Sequence, residues 1–305
     1  MNDNVQKIKF GRVGLMGRPN TGKSTLLNAI MNQKVSITSP LPQTTRKNIM
    51  AIYNDDRGKI IFVDTPGIIG KVDDLIGRMV NTEAPKAASR VEVIVCLVDI
   101  SRPKSDEENK VIGIVRKTTA KKILVYNKID VAIGSKDHLA EYNYLEEEFD
   151  KVISISALKN KFVKGLIDEI FELLPIRSLS EIKQETRGLE DRSKPLISMG
   201  SKEYVSEIIR EKAYLFLREE VPYTIFVDVK KIVDKKKLIL VEATIYTSDD
   251  RYKKMIIGRD GKKIKEIGFN ARKELELMSS RKIFLELNVS TDKHWQERVL
   301  TGQAK

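Results

Sequence analysis

The sequence predicts a layered α/β domain followed by a smaller α+β domain. Over the first 175 residues, short β-rich runs alternate with longer helical patterns, which is typical of a mostly parallel sheet with helices on both faces. After a polar stretch this alternation stops, and a helix, two adjacent β-rich runs and two further helices follow. The length of 305 residues also suits two hydrophobic cores. We therefore expect domains at residues 1–176 and 201–305, the second with a C-terminal tail, joined by a linker at 177–200.

Composition restricts the class of protein. Hydrophobic residues make up 41% and charged residues 32% of the chain, as in a globular protein. The longest apolar runs are too short to span a bilayer, and the first residues lack the apolar segment of a secretory signal, so we expect a cytoplasmic protein without a transmembrane segment.

The single cysteine, Cys96, excludes a disulfide framework and fits a buried, inert thiol. Two histidines and one cysteine leave no sensible zinc site.

The strands of the first domain end at polar loops, where open α/β sheets bind ligands. The first such loop, GRPNTGKST, contains the phosphate-binding pattern G-x-x-x-x-G-K-[ST]. Its glycines let backbone N–H groups wrap the α- and β-phosphates, Lys23 reaches the β- and γ-phosphates, and the Ser24 hydroxyl binds Mg²⁺. The residues predicted to bind the nucleotide here are Gly17, Arg18, Pro19, Asn20, Thr21, Gly22, Lys23, Ser24 and Thr25.

The base is specified by NKID at 127–130, which follows the β-rich run ILVY. The Asp130 carboxylate can accept hydrogen bonds from N1–H and N2–H₂ of guanine, whereas adenine lacks this donor pair and would leave the carboxylate unpaired. The lysine of the motif would pack along the base, and the asparagine would tie this loop to the phosphate loop. The sequence thus predicts GTP and GDP as ligands rather than ATP. The residues predicted to form the base site are Asn127, Lys128, Asp130, Ser156 and Ala157.

The γ-phosphate and the metal ion are assigned to DTPG at 64–67, which follows the β-rich run IIFV. The Asp64 carboxylate can hold Mg²⁺ through water, and the Gly67 N–H can meet the γ-phosphate. Upstream, QTTR offers a hydroxyl that would close over Mg²⁺ in the triphosphate state, and Thr45 is preferred to Thr44 because it directly precedes Arg46. The residues predicted to act in hydrolysis are Lys23, Thr45, Asp64 and Gly67. The predicted metal ligands are Ser24, Thr45 and Asp64, and Thr65 and Pro66 complete the nucleotide site.

These motifs resemble those of the Ras-like GTPases. The resemblance implies the Ras-like fold for the first domain and GTP hydrolysis with Mg²⁺ at a slow intrinsic rate. Ile68 stands where Ras-type chemistry uses a water-orienting glutamine, so a different arrangement must position the attacking water. Asn20 matches the position that, in potassium-activated relatives, helps to hold a monovalent cation near the β/γ bridge. K⁺ is therefore a further candidate cofactor.

The second domain is the more basic part of the chain for its length. Residues 201–305 hold 23 Lys and Arg against 17 Asp and Glu, and residues 1–200 hold 32 against 26. The pattern G-x-x-G occurs four times, but only Gly258 and Gly261 lie between two helical patterns and outside the nucleotide site. Two glycines would let a nucleic-acid backbone approach the next helix N-terminus. The predicted RNA-binding residues are Ile257, Gly258, Arg259, Asp260, Gly261, Lys262, Lys263 and Lys265, and Ile256 is expected beside Ile257 in a floor for unpaired bases.

The order helix, strand, strand, helix, GRDG loop, helix, strand resembles the KH domain in its type II arrangement. A Ras-like GTPase followed by such a domain resembles the Era family of ribosome-assembly GTPases over nearly the whole chain, and SEIIREK at 206–212 and EEVPY at 219–223 strengthen the resemblance. The resemblance implies a GTP/GDP-controlled switch that binds 16S rRNA near its 3′ end during 30S subunit assembly. We further expect a monomer with weak peripheral association with the inner face of the cell membrane. The chain departs from the family at IGKV, where His-x-Pro is usual, and in a linker without a tyrosine- and proline-rich stretch.

Two other function classes remain open at this point. An RNA chaperone with a regulatory nucleotide site would hydrolyse GTP slowly and without response to RNA. A GTPase that acts at the membrane surface would use its basic face on anionic lipid. The sequence contains no strongly amphipathic basic helix with exposed aromatic residues, which disfavours the membrane as the main site of action.

Overall fold

The computed structural model describes residues 7–38, 49–65, 85–132, 138–186, 201–236 and 238–297. The chain divides into two compact units, residues 1–36 with 45–198 and residues 37–44 with 199–305. The domain boundaries expected at residues 176 and 200 stay predictions, because residues 187–200 lie outside the described part of the chain.

The first unit is built on a mostly parallel sheet. Its strand order is β2-β3-β1-β4-β5-β6, and β7 pairs antiparallel with the beginning of β1. The pair of β2 and β3 is also antiparallel, and the remaining neighbours run parallel. The predicted fold class is confirmed. The strands are β1 (Lys7–Met16), β2 (Ile49–Asp55), β3 (Gly58–Asp64), β4 (Val93–Asp99), β5 (Lys121–Asn127), β6 (Lys151–Ser154) and β7 (Ile176–Ser178).

Helices cover both faces of this sheet. The helices are α1 (Lys23–Met31), α2 (Asp106–Arg116), α3 (Ile129–Ala132), α4 (Val163–Leu173) and α5 (Leu179–Thr186), with 3₁₀ turns at Leu139–Glu141 and Asn143–Glu148. Because side chains alternate along a strand, Val95 and Leu97 of β4 join the core cluster that contains α1 and α4. Cys96 between them joins the cluster that contains α2. Cys96 is fully buried, and burial raises the pKa of its thiol to about 12, in line with an inert cysteine.

The beginning of the expected linker is folded. Arg177 in β7 lies 2.6 Å from the Glu92 carboxylate, and Ile182 in α5 packs in a small core with Phe10 and Ile61. The sequence did not indicate this helix, because one fully buried apolar side chain in eight residues gives no clear period. Packing against β1 and β3 supplies the stability that the local pattern lacks.

In its described residues, the second unit combines three helices with a three-stranded sheet. The sheet order is β10-β9-β8, with β9 and β10 parallel and β8 and β9 antiparallel, and a bulge lies between Val229 and Lys231. The predicted order of helices and strands is therefore the observed one. The elements are α6 (Ser201–Phe216), β8 (Ile225–Lys235), β9 (Leu238–Thr247), α7 (Asp250–Ile257), α8 (Lys262–Ser279) and β10 (Lys282–Thr291), with 3₁₀ turns at Val221–Thr224 and Arg259–Gly261.

One face of this sheet packs against α6 and α8. The core contains Ile208, Ile209, Ala213, Val227, Val241, Ile267, Ala271, Leu275 and Ile283. Met278, which the helical period places on the same face of α8, is 41% exposed, because it lies at the end of the helix beyond the last buried turn.

The opposite face of the sheet carries an aromatic stack. The ring of Phe226 lies parallel to Trp295, with 6.2 Å between ring centroids, and stacks on Tyr246 at 6.5 Å. Trp295 follows β10 and is only 1% exposed, so it fastens the segment after the last strand onto the sheet. Among the helices in the described ranges, none has the length and apolar character needed to cross a membrane.

Candidate nucleotide and RNA sites

The phosphate-binding loop lies between β1 and α1. Gly22 at the start of α1 has φ +98°, and a Cβ atom there would stand 2.3 Å from Nδ2 of Asn127. A Cβ atom at Gly17 would stand 2.6 Å from the Leu97 carbonyl oxygen. Both glycines are therefore needed for the backbone to follow this path. The Thr21 hydroxyl donates to the Arg18 carbonyl at 3.1 Å and closes the loop.

Lys23 points back into its own loop. Its ammonium donates to the carbonyl oxygens of Gly17 at 2.9 Å and Arg18 at 2.8 Å, and the residue is only 6% exposed. Burial lowers the pKa of Lys23 to about 8, since the charged form loses its hydration. These two carbonyls hold a cation within the phosphate-binding loop, an arrangement that suits an anionic phosphate. Thr25 lies in the first turn of α1, beyond the loop.

The predicted base site joins three separate loops. Nδ2 of Asn127 donates to the Thr21 carbonyl at 2.7 Å, and its Oδ1 accepts from the Ala157 N–H at 3.0 Å. Asn127 thereby ties the phosphate loop to the loop after β6. The Ser156 hydroxyl donates to Oδ1 of Asp130 at 2.5 Å and orients that carboxylate. The sequence had placed these residues in one site; the structure adds which atoms join them.

The predicted metal site is partly assembled. Oδ2 of Asp64 accepts hydrogen bonds from the hydroxyls of Ser24 and Ser36, each at 2.8 Å. Oδ1 of the same carboxylate is buried and finds no hydrogen-bond partner among the described residues. Burial raises the pKa of Asp64. An unsatisfied buried carboxylate oxygen beside a serine hydroxyl is the oxygen donor set that Mg²⁺ prefers. Thr65 is turned away and donates to the Leu15 carbonyl at 2.7 Å.

Several predicted residues lie outside the described residues. They are Thr45, Pro66, Gly67 and Ile68. Ser36, by contrast, was missed by the sequence analysis and stands beside Asp64. Ser36 belongs to no recognisable motif. It lies 28 residues before Asp64 in the sequence, and only the fold brings it to the end of β3.

Asp99 and Arg102 form a junction between the loops, which the sequence analysis did not assign. Asp99, fully buried at the end of β4, accepts from Lys128 Nζ at 2.7 Å and lies 2.8 Å from Nε of Arg102. Nη2 of Arg102 donates to the Pro19 carbonyl at 2.7 Å. Burial acts to raise the pKa of Asp99, but hydrogen bonds from Lys128 and Ser101 outweigh it and hold the pKa below its usual range.

A second arginine, Arg18, fixes the phosphate loop through an ion pair with a residue of α2. Nε of Arg18 lies 3.0 Å from Oε1 of Glu108, and both side chains are almost completely buried. Glu108 also belongs to the capping box with Ser105 that starts α2. The segment from β4 to α2 therefore holds the phosphate loop at two points, through Glu108 and through Arg102. The sequence feature that could have indicated these contacts is the position of Asp99 at the carboxyl end of a buried strand.

The GRDG loop joins α7 to α8 in the second unit. Gly258 has φ +71° and its N–H donates to the Lys254 carbonyl at 2.9 Å, which ends α7. Asp260 has φ +54°, and Gly261 has φ +69° directly before α8. The side chains of Arg259 and Asp260 are 93% and 74% exposed. The loop is thus a protruding turn at the N-terminus of an 18-residue helix.

The apolar floor expected beside this loop needs a correction. Ile256 is fully buried in the core of the second unit, so its side chain cannot reach a base, and Ile257 alone is partly exposed. Lys262 and Lys265 are exposed, whereas Lys263 is half-buried and lies 3.2 Å from Glu266. Lys263 is therefore already partly neutralised within α8.

Comparison with protein families assigns each unit separately. The family described as "50S ribosome-binding GTPase" matches residues 12–128, and the family described as "KH domain" matches residues 220–296.

Full-length relatives cover both units. "GTPase Era" of Borreliella burgdorferi strain ZS7 is 36% identical over 294 residues, covering 95% of this chain and 97% of that protein. "GTPase Era" of Thermotoga maritima is 38% identical over 295 residues, covering 95% and 94%.

Two solved structures resemble the whole chain. A point variant of Aquifex aeolicus Era, bound to GDP·AlF4⁻, matches with a TM-score of 0.83 at 31% identity and covers 95% of this chain and 96% of that one. An Era complex with MgGDPNP and nucleotides 1506–1542 of 16S ribosomal RNA matches with a TM-score of 0.86, the same identity and the same coverage.

Proposed function

The chain belongs to the Era family of GTPases, and from that premise we propose that it is a GTP/GDP-controlled switch that binds 16S rRNA near its 3′ end during assembly of the 30S subunit. The observation that carries this proposal is the presence, in one chain, of a guanine-nucleotide site in the first unit and a protruding GRDG loop in the second. The solved Era complex with MgGDPNP and a 16S rRNA fragment supports the same pair of ligands.

The proposed base site would select a guanine nucleotide. Asp130 would accept from N1–H and N2–H₂ of guanine, while the hydroxyl of Ser156 keeps the carboxylate oriented. The Ala157 loop would approach the base edge, since Asn127 fixes it to the phosphate loop. Lys23 would exchange its two carbonyl acceptors for phosphate oxygens when the nucleotide enters.

The residues around Asp64 fit a magnesium ion. Ser24 would bind it directly and Asp64 through water, and Thr45 is the proposed third ligand. When bound, the ion would neutralise charge on the β- and γ-phosphate oxygens. Ser24 and Ser36 would release the Asp64 oxygen that they now share. Gly67 is proposed to meet the γ-phosphate through its N–H.

No glutamine follows Gly67 to orient the attacking water, because Ile68 occupies that position. We propose that Asn20 helps to hold a K⁺ ion, which would supply positive charge at the β/γ bridge. Asn20 has φ +63°, a conformation that turns its backbone unusually within the loop. Hydrolysis that is at least about 5-fold faster in KCl than in NaCl would support this role, and equal rates would exclude it.

The proposed RNA contact uses the exposed GRDG loop. Backbone groups of Gly258 and Gly261 would lie against phosphates, Lys262 and Lys265 would neutralise them, and Ile257 would contact a base. The side chains of Arg259 and Asp260 are exposed beside this contact, with 3.8 Å between Nε of Arg259 and Oδ2 of Asp260.

The experiment that tests the proposal is in-cell crosslinking followed by sequencing of the bound RNA, with wild type and Gly258→Asp compared. We expect crosslinks near the 3′ end of 16S rRNA in the wild type and at least about 10-fold fewer in the variant. Purified protein should also bind this RNA with different affinities in GDP and in a non-hydrolysable GTP analogue. Crosslinks spread evenly over cellular RNA, or turnover of GTP that no RNA alters, would instead favour an RNA chaperone with a regulatory nucleotide site.

The proposed place of action is the cytoplasm, with the protein as a monomer. Peripheral membrane association would have to use the exposed basic residues of the second unit, among them Arg251 and Lys254. Flotation with vesicles of anionic lipid at physiological salt tests that association. Light scattering of the protein during gel filtration tests the monomer.

A further inference from the structure

An exposed aromatic side chain lies on the outer face of α8. Ile267, Ala271 and Leu275 form the buried face of this helix, and Phe269 points away from them with 56% of its surface exposed. A single exposed apolar residue is common on protein surfaces and needs no explanation. The residues around Phe269, however, are cationic.

Four cations share the face of Phe269. At 100° per residue, Lys262, Lys265, Arg272 and Lys273 all lie within about 60° of Phe269 around the helix axis. All four are exposed, and the Arg272 guanidinium stands 5.6 Å from the centroid of the Phe269 ring. We call Lys262, Lys265, Phe269, Arg272 and Lys273 the Phe269 stripe.

Two acidic residues of α8, Glu266 and Glu276, also lie within about 60° of Phe269 around the helix axis, but each carboxylate is engaged by another group. Glu266 lies 3.2 Å from Lys263, Oε1 of Glu276 accepts from the Ile283 N–H at 3.0 Å, and Glu274 pairs with Lys212. Each carboxylate of the helix is therefore engaged by a group outside the stripe. From Lys262 to Lys273 this face holds four exposed cations and one carboxylate, Glu266, so it is net cationic, with one aromatic ring in its middle.

We propose that the Phe269 stripe is a second RNA contact, which carries a single strand onward from the GRDG loop along α8 with an unpaired base stacked on Phe269. This inference rests on the proposed RNA binding and extends it. Lys262 is the first residue of α8 and adjoins the loop, and the stripe continues for about 16 Å to Lys273. Aromatic rings flanked by Lys and Arg bind single strands because bases stack on the ring while the cations meet phosphates.

The charge of the stripe favours RNA over a protein partner. The centres of protein interfaces are depleted in lysine and are apolar over a wider area. Here one ring is surrounded by three lysines and an arginine. Leu277, which is 74% exposed on the same helix, lies outside the stripe and serves as a matched control.

The test compares Phe269→Ser, Phe269→Tyr and Leu277→Ser in the full-length protein. The probe is a single-stranded RNA with the sequence of the 3′ end of 16S rRNA, and its dissociation constant is measured over a salt series. We expect Phe269→Ser to weaken binding about 5- to 50-fold at every salt concentration. Phe269→Tyr and Leu277→Ser should stay within about 2-fold of wild type, because tyrosine keeps a stacking ring and Leu277 lies outside the path. Arg272→Ala with Lys273→Ala should lower the slope of log K against log salt by about 1.4.

The outcomes separate this inference from the proposed function. If wild type binds the RNA, Gly258→Asp does not, and Phe269→Ser binds like wild type, the stripe is not an RNA contact while the GRDG loop remains one. If Phe269→Ser binds naked RNA normally but no longer sediments with 30S subunits, the stripe docks on protein and the inference is wrong. Failure of the wild type to bind any of this RNA would overturn the proposed function and the inference together. Trp295 fluorescence and a GTPase assay verify that both units of each variant are folded.

Discussion

The nucleotide site and the GRDG loop present their polar groups in opposite ways. In the first unit, Lys23, Asp64 and Asn127 are nearly or completely buried. Lys23 is held by hydrogen bonds within its own loop, and the other two are held by hydrogen bonds to other segments of the chain. In the second unit, Arg259 and Asp260 are 93% and 74% exposed, and the loop is shaped by backbone conformation at Gly258 and Gly261.

This difference follows from the two kinds of ligand. A buried site can reject a wrong base. A polar atom left unpaired there has lost its hydrogen bonds to water without gaining others, and this loss lowers the binding free energy. An exposed loop cannot impose that penalty, and it gains affinity from charge and backbone approach. The nucleotide site should therefore respond steeply to single changes, whereas the RNA surface should respond gradually.

The largest effect is expected from Gly22→Ala. The added Cβ would collide with Nδ2 of Asn127, and the positive φ disfavours any side chain. Nucleotide affinity should fall about 1000-fold, corresponding to roughly 4 kcal/mol, as measured by titration with a fluorescent GDP. Gly113→Ala in α2 is the control, because its added Cβ would have no neighbour within 4 Å apart from the adjacent residues and the backbone of its own helix. Retention of GDP binding within about 3-fold would show that the phosphate loop is less constrained than its geometry indicates.

Asp130→Asn should change the base that is accepted. The amide offers a donor where guanine also offers one, so GTP affinity should fall about 100-fold and xanthosine triphosphate should become the better ligand. Competition of the two nucleotides against fluorescent GDP measures this switch. If Asp130→Asn still prefers GTP, guanine is read by another residue.

Gly258→Ala and Gly261→Ala compare two positions of positive φ in the exposed loop. A Cβ at Gly258 would stand 2.6 Å from Cβ of Lys263, whereas at Gly261 the nearest atom is Cε of Lys265 at 3.9 Å. RNA affinity should therefore fall about 10-fold for Gly258→Ala and about 3-fold for Gly261→Ala, which bears only the conformational strain. Nucleotide affinity should be unchanged in both. Equal losses of RNA affinity would mean that backbone strain alone, and not crowding at Lys263, determines the effect of both substitutions.

Arg102→Ala tests the junction between the loops of the nucleotide site. The variant loses the hydrogen bond to the Pro19 carbonyl and the ion pair with Asp99. Release of GDP, followed by stopped flow, should be about 5-fold faster, since the guanidinium is partly exposed and its contribution is screened. Arg116→Ala removes a surface pair with Glu148 far along α2 and should leave release unchanged. Similar release rates for the two variants would contradict a positioning role for Arg102.

The smallest effect distinguishes two neighbouring lysines. Lys262→Ala should lower the slope of log K against log salt for single-stranded RNA by about 0.7, the value for one phosphate contact. Lys263→Ala should lower it less, because that ammonium lies 3.2 Å from Glu266. Binding measured over a series of salt concentrations resolves the two slopes. A larger change for Lys263→Ala would indicate that RNA displaces the pair with Glu266.

Both domains could be predicted because their signals are local. The phosphate loop, NKID, DTPG and GRDG are each contiguous, and the turn or strand end that positions them lies within a few residues. Helical patterns likewise predicted α6, α7 and α8. The roles of these site residues remain predictions until variants are measured.

Contacts between distant segments could not be predicted in this way. Arg102 meets Pro19 across 83 residues, and Ser36 meets Asp64 across 28, so no short pattern contains either pair. Ile256 was misjudged for a related reason, because its burial depends on packing against the core of the second unit. Local sequence indicates which chemistry is present, whereas the fold decides which side chains support it.

Trp295, the single tryptophan of the chain, gives the second unit an optical label of its own. Because its indole is buried against Phe226, the emission spectrum should shift to longer wavelength when that unit unfolds. The first unit contributes only tyrosine emission, and its unfolding can be followed separately by loss of fluorescent GDP. A denaturant titration of the intact protein can thus report two midpoints from two wavelengths, and their separation would measure how independently the two units fold.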